Sequence, residues 1–167
     1  MKYTSAQANK LLRQLQEERT AVLRSETQSR TFVAATVEDV EAARPAYDYA
    51  ATQAKLQALE EKIRRVKHAV NAFNLSHKVE GFDMTVDQML VYIPQLSERK
   101  NKLGAMGSVL EKTRLSNAGR SSIIEYEYAN YDLERVKADY TAVTAELGRA
   151  QLALDKLNNT EAMEIDL

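Results

Sequence analysis

Between Leu133 and Leu157 the apolar residues recur at alternating steps of three and four: Leu133, Val136, Tyr140, Val143, Leu147, Ala150, Leu154 and Leu157. That spacing keeps returning to one helix face and marks a coiled-coil-like seam. Three earlier segments repeat it. One carries Leu56, Leu59, Ile63, Val66, Val70 and Phe73; another Met89, Ile93, Leu96, Lys100, Leu103, Gly107 and Leu110. The weakest carries Ala8, Leu12, Leu15, Arg19 and Val22. A helix with one apolar seam and a polar remainder is not stable alone, so the four seams are expected to be buried together. Only 5 Gly and 2 Pro interrupt 167 residues, which fits long helices.

Local signals set the helix starts. "TSAQ" and "TVDQ" are capping boxes, at Thr4 with Gln7 and at Thr85 with Gln88. Pro45 suits a first helical turn, and Asn130 or Asp132 can cap the last helix. Pro94 falls inside the third helix and is expected to kink it. The spacing predicts helices near 4–27, 46–75, 85–113 and 131–160. The expected fold is all-α: an antiparallel four-helix bundle with coiled-coil-like seams and a small two-stranded β ribbon at one end. The ribbon pairs two strand-like pieces from the longer connections, "TFVAA" (Thr31–Ala35) and "IIEYEY" (Ile123–Tyr128). One domain spans 1–167. Aligning Leu56 with Tyr140, Ile63 with Leu147 and Phe73 with Leu157 suggests two related helix–strand–helix units, 1–75 and 84–160.

Such a bundle has two unlike ends. At the ribbon end Ile124, Tyr126 and Tyr128 share a strand face, with Tyr47, Tyr49 and Tyr131 on the neighbouring helices. Tyrosine buries a ring while its hydroxyl stays wet, so these six residues are interface candidates. The alternative is that the rings plug the bundle end. At the opposite end Asn74, Ser76, His77, Asn158, Asn159, Thr160 and Glu161 are candidates for binding a small ligand or a hard cation. Against that stands ordinary helix termination by Asn and hydroxyl groups, with an acidic tail that is merely solvated. Arg19 and Lys100 occupy seam positions, where acids such as Glu18 or Glu60 are expected to pair with them.

Several function classes lack their signals. The sequence has no Cys, hence no disulfide, thiolate nucleophile or cysteine metal site. Its two His residues, His68 and His77, follow no Glu three residues back, so a di-iron Glu-x-x-His pattern is missing. No Gly-rich phosphate loop, nucleophile elbow or HExxH motif occurs, and no cofactor or enzymatic activity is expected. A net charge of −1 gives no global field for nucleic acid, and "KIRRVKH" and "ERKNK" read as solvated helix faces. No apolar run suits an export signal or a bilayer span, so the expected location is cytoplasmic, with no membrane partner.

Three stretches, "AVNAFNLSHKVEGFDMTVDQML", Arg120–Ile124 and "LDKLNNTEAMEIDL", resemble the septicolysin-like family of small bacterial helical proteins, over about residues 56–167. The resemblance implies a compact, self-associating four-helix protein without established enzymatic activity. The family name also implies a membrane-active protein, for which this chain offers no lipid-facing apolar surface. The sequence thus leads to a non-enzymatic interaction or scaffold protein that associates with itself or a protein partner. A ligand or metal sensor using the polar end comes second, and a membrane-active protein third.

Overall fold

The computed structural model of the protein describes residues 1–115 and 124–167, and both Thr-x-x-Gln boxes open helices in it. The Gln7 N–H donates to the Thr4 hydroxyl at 3.3 Å while the Thr4 N–H donates to the Gln7 side chain at 3.0 Å. Thr85 and Gln88 repeat the exchange at 3.4 and 2.9 Å. The described elements are β1 (Lys2–Thr4), α1 (Ser5–Ser29), α2 (Val40–Ala43), α3 (Tyr49–Ser76), α4 (Val86–Gly107), β2 (Lys112–Arg114), β3 (Tyr126–Tyr128), α5 (Leu133–Thr160) and β4 (Ala162–Glu164). The protein is mostly helical, with two small antiparallel strand pairs. It divides into two compact units, Met1–Ser76 with Asn158–Leu167, and His77–Leu157.

In the first unit α1 and α3 run antiparallel. Arg19 pairs with Glu60 at 2.7 Å, whereas Glu26, further along α1, accepts from Gln53, further back on α3, at 2.8 Å. The seam residues Ala8, Leu15, Leu56, Leu59, Val66 and Phe73 are buried. Arg19 meets one of the acids expected for it, but both side chains are 39% exposed, so the pair contributes at most ~1 kcal/mol. β1 pairs with β4 in the register Lys2 to Glu164, Tyr3 to Met163 and Thr4 to Ala162. Beyond the strands, the Ile165 N–H donates to the Met1 carbonyl at 2.9 Å, and the Met1 ammonium donates to the Ile165 carbonyl at 3.0 Å.

In the second unit α4 and α5 are also antiparallel. Gly104 faces the Tyr140 ring so closely that an added Cβ would lie 3.2 Å from it, and Gly107 lies beside Val136. The Tyr92 hydroxyl donates to the Glu146 carboxylate. Val86, Met89 and Leu96 of α4 are buried, with Val136, Val143, Leu147, Ala150, Leu154 and Leu157 of α5. The entry to α4 is a tight turn in which Gly81 takes φ 79°, a left-handed conformation that costs glycine little. The Val79 N–H closes it on the Met84 carbonyl at 2.9 Å. Pro94 is accommodated within α4.

Three sequence expectations are corrected. First, "TFVAA" forms no strand. Its backbone is irregular, Val33 is 96% exposed, and the Glu38 N–H turns back to the Ala35 carbonyl at 3.0 Å. The partner of Tyr126–Tyr128 is Lys112–Arg114, from the same connection. Pairing within one connection closes a shorter loop and loses less chain entropy. The strand was expected from Ile123, which lies outside the described residues. Second, the helix expected to reach 113 stops at Gly107, where Gly-Ser is a poor helix continuation and the following residues enter β2. Third, the acidic tail is not simply solvated. Its alternation places Met163 and Ile165 inward, 7% and 2% exposed.

Candidate interaction surface

The β2–β3 register pairs Lys112 with Tyr128, Thr113 with Glu127 and Arg114 with Tyr126. Two further bonds lengthen it: the Leu115 N–H to the Glu125 carbonyl at 3.0 Å, and the Ala129 N–H to the Glu111 carbonyl at 3.1 Å. Because side chains alternate across a ribbon, Lys112, Arg114, Tyr126 and Tyr128 share one face, while Glu111, Thr113, Glu125 and Glu127 share the other. The ribbon therefore has an aromatic, cationic side and an acidic side. The Lys112 ammonium stands 4.0 Å from the centre of the Tyr126 ring and 5.4 Å from that of Tyr128. The two rings are 6.4 Å apart and tilted by 51°. At an exposed site such a cation–π contact contributes about 0.5–1 kcal/mol, enough to bias side-chain positions.

The tyrosine face is open. Tyr126 is 42% exposed, Tyr128 60% and Ile124 57%. Val109, Leu110 and Leu115 are exposed in the same connection. Tyr131 behaves differently: it is half-buried, and its hydroxyl donates to the Met106 carbonyl at 3.0 Å, near the end of α4. It anchors the ribbon connection to the helices.

Tyr47 and Tyr49 belong to the first unit. The Tyr47 hydroxyl donates to Glu26 at 2.8 Å, beside the Gln53 amide that donates to the same oxygen. Partial burial and the Glu26 carboxylate together hold the Tyr47 phenol above its usual pKa. An open groove of about 480 Å³ runs past it between α1 and α3, lined in part by Val22, Glu26, Ala51 and Lys55. Its charged members are engaged, since Lys55 pairs with Glu18 at 3.2 Å. Tyr49 is exposed at the first turn of α3, which Asp48 caps by accepting from the Ala51 N–H at 3.0 Å.

Two of the polar-end candidates serve chain termination. The Ser76 hydroxyl donates to the Ala72 carbonyl at 2.8 Å, and the His77 carbonyl accepts from the Val86 N–H at 2.9 Å. Asn74 is half-buried. Asn158 is half-buried with its Oδ1 enclosed and without a hydrogen-bond partner. Asn159 and Thr160 close α5, and Glu161 is an exposed residue leading into β4. Among the described residues, no group of three or more His, Asp and Glu could hold a metal ion. No described helix is long and apolar enough to cross a membrane.

The residues that sequence reasoning missed are Lys112 and Arg114. "EKTRL" (Glu111–Leu115) alternates long polar side chains with a β-branched residue and so carried a strand signal of its own. The helix seam extended to Leu110 obscured it.

No family model and no curated protein matches the chain. A crystal structure of a functionally unknown conserved protein from Corynebacterium diphtheriae is similar in fold, with a TM-score of 0.62 and 15% sequence identity over 98% of this chain and 100% of that one. The likeness concerns the fold alone.

Proposed function

We propose that this chain is a non-enzymatic interaction protein that associates with itself through the tyrosine face of the β2–β3 ribbon. The observation carrying this reading is the exposure of Ile124, Tyr126 and Tyr128 beside Lys112, in contrast to Tyr131, which is tied down. Rings that served only to plug the molecule's end would be covered by it. Aromatic residues with a cationic neighbour are instead the usual anchors of a protein interface. The septicolysin-like resemblance, with its implication of self-association, points the same way. The sensor reading has less support, because the Ser76 hydroxyl and the His77 carbonyl are engaged in finishing a helix and a turn.

Light scattering coupled to size-exclusion chromatography tests the proposal. The wild-type chain is expected to elute as a defined oligomer at micromolar concentration, and Tyr126→Ser with Tyr128→Ser is expected to shift it to monomer. A wild-type monomer at high micromolar concentration, or an oligomer indifferent to both substitutions, would overturn the reading.

A further inference from the structure

We propose that the tyrosine face is occupied by the connection between α1 and α3 of a second copy of the chain, the stretch Val33 to Glu41. The proposal rests on the self-association reading and names its partner segment. Val33 and Val37 are each 96% exposed and Val40 is 49% exposed, so this connection carries three valines that its own unit does not cover. Interleaved with them are Glu38, Asp39 and Glu41. The segment is therefore apolar and acidic, while the tyrosine face is apolar and cationic through Lys112 and Arg114.

The acidic side chains also hold the connection in shape. Glu38 accepts from the Ala35 N–H at 2.8 Å, and Asp39 caps α2 by accepting from the Glu41 N–H at 3.0 Å. Arg44 grips Glu41 through two hydrogen bonds, at 2.9 and 2.7 Å, and keeps its carboxyl below the usual pKa. Each carboxylate retains lone pairs for a second donor. A connection already ordered loses less entropy on docking than a free loop would.

Charge argues against the alternative self-contacts. Adding a second β3 antiparallel to the first would set Glu127 against Glu127, and adding β2 to β2 would set Lys112 against Arg114. Like charges directly opposite are unfavourable, and charged edges are a common guard against strand addition. Placing two tyrosine faces together would likewise oppose their cations. The acidic connection instead meets the face with opposite charge and with apolar side chains of its own. Each copy has one connection and one face, so reciprocal exchange about a two-fold axis would leave neither unpaired.

The test uses the full chain in sedimentation and light-scattering titrations. Val33→Ser, Val37→Ser and Val40→Ser combined are expected to weaken the dimer at least a hundredfold. Circular dichroism should stay unchanged, and so should the melting temperature at dilutions where both proteins are monomers, because the three side chains are exposed. Mixing that variant with Tyr126→Ser/Tyr128→Ser should restore part of the association, since one intact contact forms between unlike copies. Lys112→Glu/Arg114→Glu should weaken the wild-type dimer about tenfold, and an unchanged dimer would overturn the charge pairing. If the tyrosine variant dissociates the protein while the valine variant does not, the partner segment is wrong and self-association through the face survives. If the tyrosine variant leaves the oligomer intact, or the wild type is a monomer, both fail together.

Discussion

The ribbon β1–β4 joins strands from the two ends of the sequence, whereas β2–β3 joins strands from one connection. Each has three residue pairs in antiparallel register. In β1–β4 the alternation sends Met163 and Ile165 inward and leaves Lys2 opposite Glu164 outside. In β2–β3 the strand residues are exposed on both faces, sorted into a cationic aromatic side and an acidic side. A two-stranded ribbon is marginal by itself in water. The terminal ribbon overcomes this by burying apolar side chains. The internal ribbon relies on its short-range closure, the Tyr131 anchor and the cation–π contacts, which leaves a whole face uncommitted. The difference teaches that equal backbone pairing says little about role, because what each strand face covers decides it.

Substitutions ordered by expected effect can break this contrast. Ile165→Ala removes a buried side chain and should lower stability by about 2–4 kcal/mol in urea unfolding. A loss below about 0.5 kcal/mol would mean that the terminal ribbon is not packed as core. Thr4→Ala removes a cap at the joint between β1 and α1 and should cost about 1 kcal/mol by the same measurement. Tyr126→Ser and Tyr128→Ser should each change monomer stability by no more than about 0.5 kcal/mol, as exposed substitutions do. Should they cost as much as Ile165→Ala, the two ribbons are alike and the tyrosine face is not free. Lys112→Ala should likewise change unfolding by no more than about 0.5 kcal/mol, while increasing the accessibility of both tyrosine rings to a chemical probe.

The helices were legible because their signals are local and periodic. The seam residues of α5 from Val136 to Leu157 are nearly all buried, and both threonine caps form as spelled. Strand partners were not legible, since pairing depends on residues distant in sequence or on competition between equally plausible neighbours. "TFVAA" had the β-branched and aromatic content of a strand, yet it lost Tyr126–Tyr128 to the nearer Lys112–Arg114. "AMEID" carried a clear two-residue alternation, but its carboxylates drew the reading towards solvent. Of the tyrosine cluster, alternation alone placed Ile124, Tyr126 and Tyr128 on one face, but whether that face is covered or open was left undecided by the spacing. That Tyr131 would be an anchor and Tyr47 a partner of Glu26 depended on tertiary neighbours that no spacing encodes.

The bond between Met1 and Ile165 also orders events during synthesis. β1 leaves the ribosome before α1, and its partner strand β4 only after α5. All of His77–Leu157 is made in between, long enough to assemble as a unit of its own. The first unit to be started is thus the last to be finished, and until then its opening strand waits with an unpaired edge.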